Sequence, residues 1–142
     1  MIDGGDGFDK VFAGAGRDRV DGSNGNERLV GGDGHDQLVG GPGNDRLQGG
    51  GGAIVLVGGG GQDRIAGNNG NDAIFGGTHG DELFGNLGQD EIYGEGGNDV
   101  IRGGGWIDAM DGGAGINDAY TSTDPVGLTD TRINCEGGVF GR

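Results

Sequence analysis

A nine-residue period runs through this chain from residue 4 to residue 120 without an insertion. The thirteen consecutive nonapeptides begin GGDGFDKVF, AGAGRDRVD, GSNGNERLV, GGDGHDQLV and GGPGNDRLQ. The first position is Gly in twelve of the thirteen, the fourth is Gly in eleven, the sixth is Asp in ten, and the eighth is a large aliphatic residue or Met in twelve. Self-similarity at a fixed short period indicates an architecture of stacked repeats.

Each nonapeptide has the composition of a tight loop followed by a short strand. Gly at the first, fourth and usually the second position permits φ > 0, so we expect the first six residues to form the loop. Residues seven to nine then form a minimal strand whose apolar eighth residue faces inward. Two nonapeptides complete one turn. We therefore predict an all-β fold, a right-handed parallel β-roll (a β-solenoid) of two short parallel sheets with 18 residues per turn.

The composition shows that hydrophobic burial alone cannot hold such a fold together. Leu, Ile, Val and Phe supply only 30 of the 142 residues, Gly supplies 41, and the formal net charge is −14. A chain this polar and charged lies at the edge of the disordered class. The acidity argues against nucleic acid and anionic membranes as partners and in favour of cations.

On the predicted roll, the sixth positions fall in two columns in which successive members are one turn apart. One column is Asp9, Glu27, Asp45, Asp63, Asp81, Asp99 and Asn117; the other is Asp18, Asp36, Ile54, Asp72, Asp90 and Asp108. Neighbouring carboxylates in a column repel each other unless a cation lies between them. Ca²⁺ suits such loops best because it takes about six to eight oxygen ligands in loose geometry and accepts backbone carbonyls, whereas Mg²⁺ demands a stricter octahedron. Zn²⁺ prefers His and Cys ligands.

The pattern G-G-x-G-x-D-x-U-x, in which U is a large aliphatic residue, resembles the RTX (repeats-in-toxin, haemolysin-type) calcium-binding nonapeptide. The resemblance covers residues 4 to 120. It implies a parallel β-roll with one Ca²⁺ held between loops n and n+2 by sixth-position carboxylates and loop carbonyls. It also implies a secreted bacterial protein that is disordered at cytosolic calcium and folds outside the cell.

Loop pairs with Asp on both sides give about six intact calcium sites. These pairs are 45/63, 63/81, 81/99, 18/36, 72/90 and 90/108. Glu27 is one methylene too long, and Ile54 cannot bind calcium. Asn117 is in register only on the strict period; if Ile116 is an insertion, Asp118 takes the ligand position and Tyr120 enters the core. His79 and Trp106 replace fourth-position glycines, so we expect strain in their loops.

Residues 121–142 break the period, and we predict an irregular cap or tail there, with a strand near Arg132 and Ile133, after a calcium-binding roll over residues 1–120. A secretion signal in this tail is the functional alternative. The chain starts with Ile2 in a core position, which suggests a fragment of a longer protein, and no signal peptide or transmembrane segment is visible.

No catalytic constellation is found, so we predict a calcium-binding module that is not an enzyme. Two alternatives stay open. The chain is the carboxy-terminal module of a secreted RTX-like protease or lipase whose catalytic domain is absent, or it is an adhesion module that binds an anionic polysaccharide.

Two outward rows on the predicted sheets suggest partner surfaces. Seventh positions on one sheet form a cationic row of Lys10, Arg28, Arg46 and Arg64, which is either a solvated face or a docking site for anionic polysaccharide. Ninth positions on the other sheet form an apolar row of Val39, Val57, Phe75 and Tyr93. That row either stacks across the strands or contacts a second domain or chain.

Overall fold

The computed structural model describes residues 1–115, 119–121 and 131–133, of which 119–121 and 132 are described by their backbone alone. These described residues form strands and turns and contain no helix. In chain order the strands are β1 (Ile2–Asp3), β2 (Asp6–Gly7), β3 (Lys10–Gly16), β4 (Arg19–Asp21), β5 (Asn24–Gly25), β6 (Arg28–Gly34), β7 (Gln37–Pro42), β8 (Arg46–Gly51), β9 (Val55–Gly60), β10 (Arg64–Asn69), β11 (Ala73–Thr78), β12 (Glu82–Leu87), β13 (Glu91–Gly96), β14 (Val100–Gly105), β15 (Ala109–Asp111), β16 (Ala119–Thr121) and β17 (Thr131–Ile133).

Alternate strands stack into two parallel sheets, which confirms the predicted β-solenoid. The eight-stranded sheet has the order β1-β4-β7-β9-β11-β13-β15-β17, and the seven-stranded sheet has the order β3-β6-β8-β10-β12-β14-β16. Residues 18 apart are partners along most of both sheets, as at Ile65 and Leu83. The first loops add a small third sheet of β2 and β5, which the period does not predict.

The core lies between the two sheets and consists mainly of the eighth-position side chains. All of those from the second to the twelfth repeat are buried, at no more than 1% exposure: Val20, Leu29, Leu38, Leu47, Leu56, Ile65, Ile74, Leu83, Ile92, Ile101 and Met110. Ile2 and Val11, at the open end of the first turn, are only partly buried. Each of these nonapeptides thus contributes one large buried side chain to the core, and the only other buried member among the described residues is Ile54.

The strands are longer than the sequence predicts, because the sheet continues into the first glycines of the next repeat. β10, for example, pairs with β8 at the seventh to ninth positions and again at Asn68 with Gly50 and Asn69 with Gly51. The predicted six-residue loop is therefore wrong at its first three positions, which belong to the strand. The second-position residues between these ladder segments have positive φ, including the non-glycine residues Ser23, Asn68, Asn86 and Glu95.

First-position glycines are required for a different reason from the one predicted. None of them has positive φ. A Cβ at Gly76 would lie 2.6 Å from Asp81 Oδ2 and 2.8 Å from the Gly94 carbonyl oxygen of the next turn. Contacts this close are essentially never made by a real Cβ. The first glycine is therefore fixed by close packing beneath a carboxylate and not by backbone conformation.

Fourth positions do carry the predicted positive φ, and two bulky residues adopt it. At Gly52 and most later fourth-position glycines, the carbonyl oxygen of the preceding turn occupies the space where a Cβ would lie. His79 and Trp106 nevertheless have φ of 81° and 87°, against 136° at Gly88. Positive φ is uncommon for such side chains, so the predicted strain in these two loops is present.

Candidate metal centre

The sixth-position carboxylates are buried in two columns along the edges of the roll. Nine of them are no more than 3% exposed: Glu27, Asp36, Asp45, Asp63, Asp72, Asp81, Asp90, Asp99 and Asp108. Asp9 and Asp18, in the first turn, are half-buried. Burying an ionised carboxylate without a compensating charge is costly, and here the cost recurs in nearly every repeat.

From Asp36 onwards, one oxygen of each aspartate in the columns links successive turns. The Oδ1 atom accepts a hydrogen bond from the backbone N–H of the sixth-position residue one turn earlier. All six predicted Asp pairs are linked in this way, at 2.8 to 2.9 Å: 18/36, 45/63, 63/81, 72/90, 81/99 and 90/108. The structure therefore brings together each pair of residues that the period predicts to be neighbours.

The second oxygen lies in a buried position where no hydrogen-bond donor reaches it. This holds for Oδ2 of Asp9, Asp18, Asp36, Asp45, Asp63, Asp72, Asp81 and Asp90, and for both carboxylate oxygens of Glu27. Buried polar atoms in proteins nearly always have a partner, so a whole row of acceptors without a donor indicates sites that suit a cation. Hard oxygen donors of this kind are the ligands that Ca²⁺ prefers.

Burial changes the proton affinity of these carboxylates. Desolvation raises the pKa of Asp63, Asp72 and Asp90 to about 6, because the charged form loses its hydration. It raises the pKa of Asp81 to about 7, with the nearby carboxylates of Asp63 and Asp99 adding to the effect. The columns thus disfavour their own negative charge in the absence of a cation.

Glu27 is buried in the column like the aspartates, but its carboxylate accepts no hydrogen bond from the preceding turn. Burial, followed by the neighbouring Asp45 carboxyl group, raises the pKa of Glu27 to about 7. Its backbone N–H donates to Asp45 Oδ1 at 2.7 Å, so the link to the following turn is kept. The longer side chain does not move this residue out of the column, although its fitness as a calcium ligand remains a prediction.

Ile54 fills a carboxylate position with hydrocarbon. Its side chain is 1% exposed, and its Cδ1 atom lies 2.9 Å from where a Cβ at Gly49 would be, much as Asp81 Oδ2 lies under Gly76. Its backbone N–H still donates to Asp72 Oδ1 at 3.0 Å. The register of this loop is therefore kept, and the ligand oxygen is replaced by apolar packing.

The last repeat contains the one-residue shift that the sequence left open. Gly96 bridges Ala114, 18 residues later, whereas Val100 pairs with Ala119 and Ile101 with Tyr120, each 19 residues later. One extra residue therefore lies between Ala114 and Ala119, and the strict period is wrong there. The two candidate ligands, Asn117 and Asp118, lie outside the described residues.

Backbone groups must complete any metal site in the columns. No three His, Cys, Asp or Glu side chains converge on one point in the described part of the chain. Loop carbonyls of the second and fourth positions point along the stack towards the next turn, as at Gly32 and Gly34. Two carboxylates with several carbonyls form an all-oxygen donor set, which fits Ca²⁺ and not Zn²⁺.

The fifth positions hold a second ladder, which sequence reasoning missed. The side-chain oxygens of Asn26, Asn44 and Asn71 accept from the fifth-position backbone N–H one turn later, at 2.7 to 3.0 Å. The signal was visible as Asn or Gln recurring at the fifth position, immediately before the sixth-position carboxylate. This ladder runs beside the carboxylates and holds the loops in register.

The apolar row predicted as a partner surface lies on the outer face of the eight-stranded sheet. Val39, Val57, Phe75 and Tyr93 are direct partners on successive strands. The rings of Phe75 and Tyr93 are stacked with their centroids 5.1 Å apart. Cross-strand stacking is thus present, and contact with another domain remains a prediction.

Comparison with known protein families identifies the repeats. Four segments match the family described as RTX calcium-binding nonapeptide repeat, at residues 1–26, 21–53, 55–78 and 75–105. The chain belongs to the RTX calcium-binding repeat family. Among curated proteins and among solved structures, none is significantly similar to it.

Membership of this family indicates which ion the two carboxylate columns bind. RTX repeats form a structural module that binds calcium ions, so Ca²⁺ is a partner of this chain. In the RTX roll the sixth-position carboxylates and the loop carbonyls would hold the ion, whose charge would neutralise the buried oxygens. The described residues contain no helix long and apolar enough to cross a bilayer.

Proposed function

We propose that this RTX chain is a calcium-dependent folding module of a secreted bacterial protein and has no catalytic role of its own. The observation that carries the proposal is the row of buried carboxylate oxygens without hydrogen-bond donors. A thin core of one large side chain per repeat cannot offset that electrostatic cost. Folding therefore requires an ion that enters with the stacking of each turn, as in other proteins whose metal binding is coupled to folding.

The proposed ligands are the ten sixth-position aspartates, nine of which form about six complete sites, whereas Asp9 is paired only with Glu27. The ten are Asp9, Asp18, Asp36, Asp45, Asp63, Asp72, Asp81, Asp90, Asp99 and Asp108, with Glu27 as a weaker ligand. Affinities of roughly 10⁻⁴ to 10⁻³ M per site, typical of extracellular calcium modules, would keep the chain unfolded inside the cell and folded outside it. This dependence on external calcium is the physical basis for proposing secretion.

The roll and the tail have separate proposed roles. Residues 1–120 form the calcium-binding roll, and residues 121–142 cover its last layer. Support for the cap comes from β17, which lies in the tail as predicted and adds a strand to the eight-stranded sheet beside β15. Thr131 N–H donates to the Asp108 carbonyl at 2.8 Å, in the same pattern that joins the earlier turns.

Small-angle scattering and circular dichroism of the full chain test the proposal. In excess EGTA the radius of gyration should approach roughly 40 Å, the value for an unfolded chain of this length, and Ca²⁺ should reduce it towards roughly 15 Å. β-structure should appear in the same calcium range, and Mg²⁺ at equal concentration should produce neither change. A compact β-rich chain in EGTA at neutral pH would contradict coupled folding.

A further inference from the structure

The outer face of the seven-stranded sheet carries most of the positive charge of this acidic protein. The chain has nine Lys and Arg residues. Five of them project from the seventh and ninth positions of this face, against one carboxylate, that of Glu82: Lys10, Arg28, Arg46, Arg64 and Arg102. The equivalent positions of the eight-stranded sheet carry Asp3, Asp21, Glu91 and Asp111 against Arg19. The roll is therefore polarised across its thickness.

Four of these cations form a row with one member per turn. Lys10 pairs with Arg28, Arg28 with Arg46, and Arg46 with Arg64 in the parallel register, so like charges stand about one strand spacing apart, ~4.8 Å. Like charges directly opposite each other destabilise a sheet. The row therefore cannot be explained by the stability of the roll.

Only one end of the row is neutralised within the described residues. Arg64 forms an ion pair with Glu82 and lies over the Phe84 ring, 4.9 Å from its centroid. Lys10, Arg28 and Arg46 are exposed and make no ion pair with any described residue. The neighbouring sixth-position carboxylates, such as Glu27 and Asp45, are buried and form no ion pair with these three cations.

Two grooves follow the row and share a wall made by Arg28 and Arg46. One, of about 380 Å³, is lined by Arg28, Arg46, Leu47, Gln48, Arg64 and Ala66. The other, of about 420 Å³, continues towards the amino terminus and is lined by Phe8, Lys10, Asn26, Glu27, Arg28, Asn44 and Arg46. Together they form a continuous track over four turns.

We propose that this track binds a linear anionic polysaccharide laid along the roll axis. Exposed guanidinium groups form bidentate hydrogen bonds with carboxylates and sulfates, and a row with one cation per turn matches a polymer with regularly repeated charges. The amide of Gln48 offers a partner for sugar hydroxyl groups. Nucleic acid fits less well, since single strands are held by successive aromatic side chains along a track, and the two grooves contain one aromatic residue between them, Phe8 at the amino-terminal end.

Binding of dextran sulfate to the full chain, in calcium at which circular dichroism shows the roll folded, tests the site. Dextran sulfate and carboxymethyl-dextran should bind, and uncharged dextran should not. The double variant Arg28→Gln/Arg46→Gln should bind dextran sulfate roughly tenfold more weakly, the combined effect of two exposed charge pairs. Its calcium midpoint for folding should not rise, because the substitutions remove repulsion.

The matched control is Arg17→Gln/Arg19→Gln, which makes the same change in net charge at exposed residues away from the track. It should alter dextran sulfate binding by less than about twofold. Equal losses in the two double variants, or no binding by the folded wild type, would overturn the proposal. So would binding of the single strand poly(dT) as tightly as dextran sulfate with the same dependence on Arg28 and Arg46.

Discussion

Replacing Gly76 with alanine tests the packing beneath a carboxylate column. The new Cβ would lie 2.6 Å from Asp81 Oδ2 and 2.8 Å from the Gly94 carbonyl oxygen, whereas ordinary contact begins at 3.4 Å. Both oxygens would have to move by more than half an ångström, and one belongs to the backbone of the next turn. Overpacking of this kind costs about 2 to 3 kcal/mol of folding free energy.

The cost converts into a shift of the calcium midpoint because ion binding and folding are coupled in our proposal. If about six ions bind as the chain folds, a loss of 3 kcal/mol is divided among them and raises the midpoint concentration about twofold. The shift will be larger if displacement of Asp81 also weakens the 63/81 and 81/99 sites. A calcium titration followed by far-ultraviolet circular dichroism measures it.

Gly60→Ala is the matched control, because Gly60 is in the equivalent loop one turn earlier and does not have positive φ. Its Cβ would meet only Thr78 Oγ1 at 3.7 Å and Pro42 Cα at 3.9 Å, which are ordinary contacts. We expect its calcium midpoint to stay unchanged or to fall slightly, since alanine reduces the entropy of the unfolded chain. Equal midpoints for the two variants would refute the packing described beneath the column.

Three further predictions concern the columns themselves. Asp63→Ala should raise the calcium midpoint more than Asp18→Ala, because Asp63 joins two intact pairs and Asp18 joins one near the open end; equal shifts would count against the pairing. Ile54→Asp should add one or two bound Ca²⁺ by native mass spectrometry, and no gain would show that this loop does not form a site. The third prediction is that, without calcium, the fold becomes less stable as the pH rises. Burial raises the pKa of Asp72 to about 6 and of Asp81 to about 7, so their protonated forms favour the fold, and this stabilisation is lost as pH rises through 6 to 7. In EGTA we expect more β-structure at pH 5 than at pH 8, and the opposite order would contradict the burial of these groups.

The sequence predicts the fold well because one residue per repeat decides which face is buried. An apolar eighth position, from Val20 to Met110, is enough to fix the inward face, the 18-residue turn and the parallel register. The strand pairing at the first positions of the Gly-rich loops could not be predicted, since glycine is compatible with both turn and strand. The extension of the sheet to partners such as Asn68 and Gly50 depends on the stacked neighbour and is not encoded in either loop alone.

The sequence period predicted which residues of the candidate site are neighbours, but not how their atoms are arranged. The spacing placed each aspartate beside its partner in a column. Which carboxylate oxygen accepts the turn-to-turn hydrogen bond and which is left without a donor depends on the direction of the side chain, and a period does not give that direction. The reason for glycine at the first position was missed for the same cause. Two oxygens exclude a Cβ at Gly76, that of the Asp81 side chain and that of the Gly94 backbone, and the second belongs to the next turn. The shift near Ala119 follows from pairing across turns, which a strict count of nine overlooks.

Counting bound ions while the chain folds tests the central claim most directly. Native mass spectrometry and circular dichroism on the same calcium titration should show about six Ca²⁺ entering together with the gain of β-structure, and neither change with Mg²⁺. The account predicts that no β-rich species exists at neutral pH without bound ions. A folded chain that carries no calcium, or calcium binding that leaves the chain unfolded, would contradict it.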